Sequence, residues 1–173
     1  MRETRIGMLA SAMLLSTGCG DLLSLHDVYT AQSQVLDPAI EGRWENDDNV
    51  LQVRHVEDAY QVELQAKSDP AREPSKMEMH LTDIGGVRFA DVLPADQIGH
   101  MILRVRLNGD QLRIDFFDSA WLRQRIPHDE ADIENRRKQA MLVQNTVRVR
   151  SLMAKFAREP MAYANETVYR RMR

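Results

Sequence analysis

Cysteine is nearly absent from this chain: residue 19 holds the only one among 173. No internal disulfide can form, so any core must rest on apolar packing and hydrogen bonds. Aromatic residues are sparse at 6%, and neither sign of charge dominates. Lys and Arg number 23 against 26 Asp and Glu, for a formal charge of −3. With no basic block and no aromatic–basic interleaving, nucleic acid is not an expected partner. Long hydrophobic runs are missing too. The longest covers residues 6–16, about 16 Å as a helix against a hydrocarbon core of about 30 Å. No other window is long or apolar enough to cross a bilayer as a helix.

What stands at the N-terminus has the layout of a secretory signal: a charged start with Arg2 and Arg5, the apolar run, then small residues. It ends Leu15-Ser16-Thr17-Gly18-Cys19. This order resembles the lipobox of bacterial lipoproteins, with Ser16 where a larger apolar residue is more usual. The resemblance implies that residues 1–18 are a signal peptide cut off before Cys19. It also implies that the Cys19 thiol carries diacylglycerol and that the new amine takes a fatty chain such as palmitate. Two or more acyl chains make such an anchor stable, each buried CH₂ adding about 0.8 kcal/mol. Residence in the bacterial cell envelope follows. Gly20, rather than Asp21, follows the cysteine directly, and by the same resemblance this favours the outer over the inner membrane.

Cleavage would leave one domain of ordinary size, with a formal charge of −4 once Arg2, Arg5 and Glu3 are gone. Residues 19–39 read as a lipid-anchored tether, in which Leu22, Leu23, Leu25 and Val28 form a short docking helix. Residues 40–173 read as the domain. There the period is two: Leu51 and Val53; Tyr60, Val62 and Leu64; Met77, Met79 and Leu81; Met101, Leu103, Val105 and Leu107; Leu112, Ile114 and Phe116. Such alternation predicts about seven antiparallel strands solvated on one face. Asn108-Gly109 is the strongest hairpin signal, and a two-residue loop there pairs Val105 with Leu112 and Leu103 with Ile114. Gly85-Gly86 marks another turn, and all six prolines fall between the runs.

The last third changes character. Residues 128–140 begin acidic and end basic, with i,i+4 charge pairs, and predict a solvent-exposed helix. Residues 146–158 predict a second, amphipathic helix on Val149, Leu152, Met153 and Phe156, capped by Asn145 or Thr146 and ended by Pro160. A strand over 166–171 would close the sheet. The expected class is mainly β with C-terminal helices, α+β overall. Gly42-Arg43-Trp44 resembles the Gly-x-Trp opening of the first strand in lipocalin-like domains. That resemblance implies an antiparallel lipocalin-like barrel or half-barrel with an amphipathic helix packed on it and Trp44 plugging one end. It carries no catalytic residue.

Side-chain chemistry is thin. The five histidines show no metal-ligand spacing, so neither a metal nor another cofactor is expected. Ser119 and Ser151 lack a nucleophile-elbow context. Asp91, Asp115 and Asp118 could converge as hydrolase carboxylates, although Asp115 has Arg104 and Arg113 nearby. Met77, Met79, Met101, Leu103 and Phe116 face inward and would line a site for a small apolar ligand, methionine being adaptable. The expected function is a non-enzymatic, lipid-anchored binding or interaction domain. Its partners would be the membrane and either an apolar ligand or another envelope protein. An envelope hydrolase, or an assembly factor docking through the 128–140 helix, is the alternative. Replacing Cys19 by Ala should move the protein out of the membrane fraction and leave the signal uncut; fractionation with intact-mass measurement checks both, and an unchanged membrane fraction would sink the anchor.

Overall fold

The computed structural model describes residues 22–95, 97–126, 133–136 and 139–173. Cys19 and the signal segment lie outside them. Two short strands, β1 (Leu22–Ser24) and β2 (Gln34–Val35), come first. A meander follows: β3 (Gly42–Glu45), β4 (Asn49–Val56), β5 (Ala59–Ala66), β6 (Ser75–Ile84), β7 (Val87–Pro94), β8 (His100–Asn108) and β9 (Gln111–Phe117). Then come α1 (Ser119–Arg125), β10 (Ile133–Arg136), β11 (Gln139–Leu142), α2 (Thr146–Phe156) and β12 (Tyr163–Arg171).

The period-two residues form the strands because one face can then be buried throughout. Each strand from β3 to β9 pairs antiparallel with the next. β12 pairs with both β9 and β3, so eight strands close into an antiparallel, lipocalin-like barrel. Closure removes the edges that an open sheet would expose. Inside lie Leu51, Val53, Tyr60, Val62, Met79, Leu81, Ala90, Val92, Leu103, Val105, Leu112 and Tyr169, all buried.

The outer face is not uniformly solvated. Over β6–β9 a second layer packs Val149, Leu152, Met153 and Phe156 of α2, with Leu22, Leu122 and Leu142, against Ile84, Phe89, Ile102 and Phe117. The amphipathic helix is therefore where its pattern placed it, with the Asn145 side chain accepting from the Arg148 N–H as N-cap. Asp118 caps α1 through the Ala120 and Trp121 amides.

Three expectations are corrected. First, the described part of the tether expected over 19–39, residues 22–39, is no free linker. Leu22, Leu23, Ser24 and Val28 are at most 4% exposed, and β1 pairs with β8 and β11 as a strand, not a helix. Second, the helix expected over 128–140 gives way to a β10–β11 hairpin across its described part. Surface charge pairs are worth only a few tenths of a kcal/mol each. Burying Ala140, Met141 and Leu142 beside β1 outweighs them at about 25 cal/mol per Å². Third, the β8–β9 turn centres on Gly109-Asp110, so Val105 faces Ile114 and Leu103 faces Phe116. The shift of two keeps every inward side chain inward and adds the pair Leu107–Leu112. Gly109 takes φ 57° to make the turn. Among the prolines, Pro94 is the last residue of β7 rather than between strands.

Trp44 is fully buried at the barrel end where the β4–β5, β6–β7 and β8–β9 turns lie. Its indole N–H donates to the Ile40 carbonyl at 2.8 Å, from the 3-10 turn Pro38–Ile40 that crosses this end. The Arg171 guanidinium lies 4.0 Å over the indole ring. It also donates to the Glu41 carbonyl at 2.7 Å and to the Ala39 carbonyl. One side chain thus ties the last strand to the plug and to the turn beneath it. Charged hydrogen bonds and a covered cation–π contact together suggest about 2–3 kcal/mol. Arg171→Ala should lower the thermal midpoint by about 5–10 °C. Arg171→Lys should recover less than half, since an ammonium cannot reproduce the planar fork; calorimetry on both variants is the check.

Candidate functional site

With one end plugged, the barrel interior opens toward the other, where β6 and β8 begin and β9 ends. A cavity of about 200 Å³ lies there, walled by residues of all the long strands. Met77, Met79, Met101, Leu103 and Phe116 all stand on its wall, as their inward alternation implied. Met79 and Leu103 are buried deep in it, whereas Leu64, Met77, Met101 and Phe116 are only partly buried and form the rim. Among the lining side chains, polar atoms come only from the Thr167 hydroxyl, the Tyr169 phenol and the thioethers. Burial pushes the Tyr169 phenol above its ordinary pKa, so it stays neutral across the physiological range. The wall is uncharged, and it suits an apolar molecule or the apolar part of a larger one. A dry cavity of about 150 Å³ holds one benzene, which sets the scale. A larger cleft of about 510 Å³ lies outside β5–β7, walled by Gln61, Glu63, Lys76, Glu78 and Leu93. It is open to solvent and carries both signs of charge, with nothing to orient a ligand.

A second feature has no counterpart in the sequence reading. On the outer face of β6–β8, Thr82, Asp91 and His80 are buried under residues 24–35, which run across them as a strap. Asp91 Oδ2 accepts from the Val28 amide at 2.5 Å, and Oδ1 lies 2.6 Å from His100 Nδ1. Arg150 of α2 donates to the Val28 carbonyl, to the Ser33 hydroxyl and to Thr82 Oγ1. Thr82 donates to the Ser33 carbonyl at 3.0 Å. The Tyr29 ring stacks on His80 with centroids 3.8 Å apart. His80 Nε2 reaches Glu78 at 3.1 Å, while its buried Nδ1 has no hydrogen-bond partner. Outward residues on strands normally meet water, so the one sequence signal for a strap was the apolar character of Leu25 and Val28 within it and of Leu22 and Leu23 just before it.

The candidate hydrolase carboxylates are each engaged elsewhere. Asp91 holds the strap. Asp115 takes the Arg104 guanidinium at 2.8 Å and Arg106 at 3.0 Å, while Arg113 pairs with Glu166 instead. Asp118 caps α1. Next to the Arg104–Asp115 pair, Tyr163 has its phenol pushed up to about 12 by burial. The Asp91–His100 pair has a serine opposite it in register, Ser24. That hydroxyl is fully buried and donates to the His26 carbonyl at 2.6 Å, so it is not aimed at the imidazole as a nucleophile would be. No group of three or more His, Cys, Asp or Glu among the described residues could hold a metal. His128 lies outside them.

No family model, curated protein or solved structure matches the chain. Its chemistry has to be read from its own geometry.

The strap makes a pH-dependent prediction. The hydrogen bond to Asp91 raises the His100 pKa above its ordinary value, against the opposite pull of burial. The folded protein then holds this proton more tightly than the unfolded chain does. The stabilisation is complete below about pH 6.5 and fades as pH climbs through the raised folded value. His100→Gln should therefore cost more stability at pH 6 than at pH 9, measured by urea unfolding. A cost independent of pH would contradict the assignment.

Proposed function

We propose that the chain is a lipid-anchored protein of the bacterial cell envelope whose barrel holds a small apolar ligand. The observation that carries the ligand is the uncharged cavity of about 200 Å³ behind a methionine and phenylalanine rim. Natural cores are close-packed with few voids larger than water. A space of this size, opening through one barrel end while the other is plugged by Trp44, costs stability unless something fills it. Polarizable, unbranched Met77, Met79 and Met101 let the wall adapt to more than one shape. The anchor rests on the signal segment and Cys19, with the outer membrane favoured by Gly20. Binding without catalysis is supported by the engagement of Asp91, Asp115 and Asp118 in structural contacts.

Filling the cavity separates this reading from a merely loose core. Met79→Trp and Met77→Trp, deep and at the rim, should each weaken binding of a small solvatochromic apolar probe about tenfold or more. Overpacking should cost about 1–3 kcal/mol of stability. Leu93→Ser, on the outer face, should leave binding unchanged. Solvent extraction of the purified protein with mass spectrometry should release an apolar compound. A protein that yields none, and binds the probe equally in all variants, would refute the ligand.

A further inference from the structure

The point at which the chain enters the barrel says which surface would meet the membrane. β9 stays beside β8 as far as Phe116 opposite Leu103, then leaves it at Phe117 and starts α1 two residues later. β1 takes the vacated place, Leu23 opposite Met101 and Ser24 opposite His100. Leu22 thus begins beside the root of α1, and it shares a small apolar void with Phe117, Leu122 and Phe156. Three peptide steps separate Cys19 from Leu22, a reach of at most about 11 Å. An acyl chain on Cys19 would therefore hold α1 and its surroundings against the bilayer.

The surface there is composed accordingly. α1 and the turn Pro160–Ala162 are joined by the Asp118 N–H donating to the Ala162 carbonyl at 2.9 Å. Met161 on that turn is 65% exposed, among the most exposed large apolar side chains described. Trp121 beside it is half-buried, edge-on to Phe156 at 5.4 Å, with the Arg125 guanidinium 5.4 Å from its ring. Arg123 and Arg125 of α1 are exposed, as is Lys155, 5.5 Å from the Phe156 ring that Trp121 meets, and Glu159 uses its carboxylate to cap the turn. A tryptophan with a covering cation and an exposed apolar neighbour is the combination that settles at the boundary of headgroups and acyl chains.

We propose that the α1 and Pro160–Ala162 surface, centred on Trp121 and Met161, rests in the phospholipid headgroup layer of the membrane that holds the anchor. This rests on the lipoprotein reading of Cys19. The domain then has a fixed face toward the lipid rather than free rotation about a tether.

The two tryptophans of the chain make the test direct. Trp44 is sealed in the plug and serves as an unquenched reference. The purified full-length product, as processed in the cell, is reconstituted into phosphatidylglycerol–phosphatidylcholine vesicles with and without brominated acyl chains. Flotation reports the anchor, and quenching reports the face. The expected result is flotation with quenching of roughly the Trp121 share of the emission. That quenching should disappear in Trp121→Phe and fall severalfold in Met161→Asp, while both variants still float. Flotation with no quenching of Trp121 overturns the proposal and leaves the anchor standing. A protein that neither floats nor carries acyl mass on Cys19 overturns the anchor and this proposal with it.

Discussion

Closure of the barrel by β12 is the constraint on which the rest of the molecule depends. A seven-strand meander has two raw edges, β3 and β9, and only a returning strand can satisfy both. β12 does this with two stretches of its length: residues 163–170 follow β9 and residues 170–171 follow β3. The register with β9 slips between Ala164 and Thr167, and Asn165 adopts φ 56° there. A bulge of this kind bends and twists a strand locally; beyond it β12 keeps β9 on one edge through Arg170 and takes β3 on the other from that same residue. The strand arrives with Arg171 over Trp44, so the seam and the plug are fixed by the same side chain. Without that end sealed, the space among Met79, Leu103 and Phe116 would be an open tube instead of a pocket with one mouth.

The second layer solves a different problem. α2 must bury its apolar stripe, and the outward residues it finds on β6–β9 are Ile84, Phe89, Ile102 and Phe117, with Val87 beside them. Covering them also covers polar neighbours on the same face, and a buried polar group without a partner costs about 1–3 kcal/mol. The strap supplies partners: the Val28 amide for Asp91, and the Ser33 carbonyl and hydroxyl for Thr82. Arg150 of α2 ties helix, strap and sheet together by donating to the Val28 carbonyl and to Thr82 Oγ1. His80 Nδ1 is the atom this arrangement leaves over.

Local alternation made most of the barrel readable before any coordinates. Period two names the inward set Leu51 to Phe116, and the cavity wall follows from that set, because inward direction is fixed by parity alone. Parity survives errors of register, which is why the β8–β9 turn could move by one residue without displacing Leu103 or Phe116 from the wall. What failed were segments whose fate is set by partners distant in sequence. Residues 133–142 carry helix-like charge spacing, yet β11 pairs in parallel with β1, more than a hundred residues away. Residues 22–35 are short, mixed in polarity and rich in hydroxyls, and they are held by partners far along the chain: β8 and β11 beside β1, β6 beside β2, and Asp91, Thr82 and Arg150 between them. Arg171 has no local pattern at all. Its role depends on a tryptophan at the opposite end of the chain.

These two misread segments meet at one place. β11 pairs with β1, β1 pairs with the first residues of β8, and those residues begin the rim of the cavity: Leu23 is opposite Met101. Met101 thus has its backbone in the strand that receives the N-terminus and its side chain on the cavity wall. Gly99 just before it has φ 105°, and a Cβ there would come within 3.1 Å of both the Ser24 carbonyl and the Met141 methyl. The contact between strap, hairpin and rim leaves little room for slippage. A membrane anchor a few residues upstream of Leu22 would consequently be coupled to the cavity mouth through a single strand pair rather than through the body of the barrel. For the same reason, the position of the mouth relative to a lipid surface would be set by β1, whose three residues are all buried.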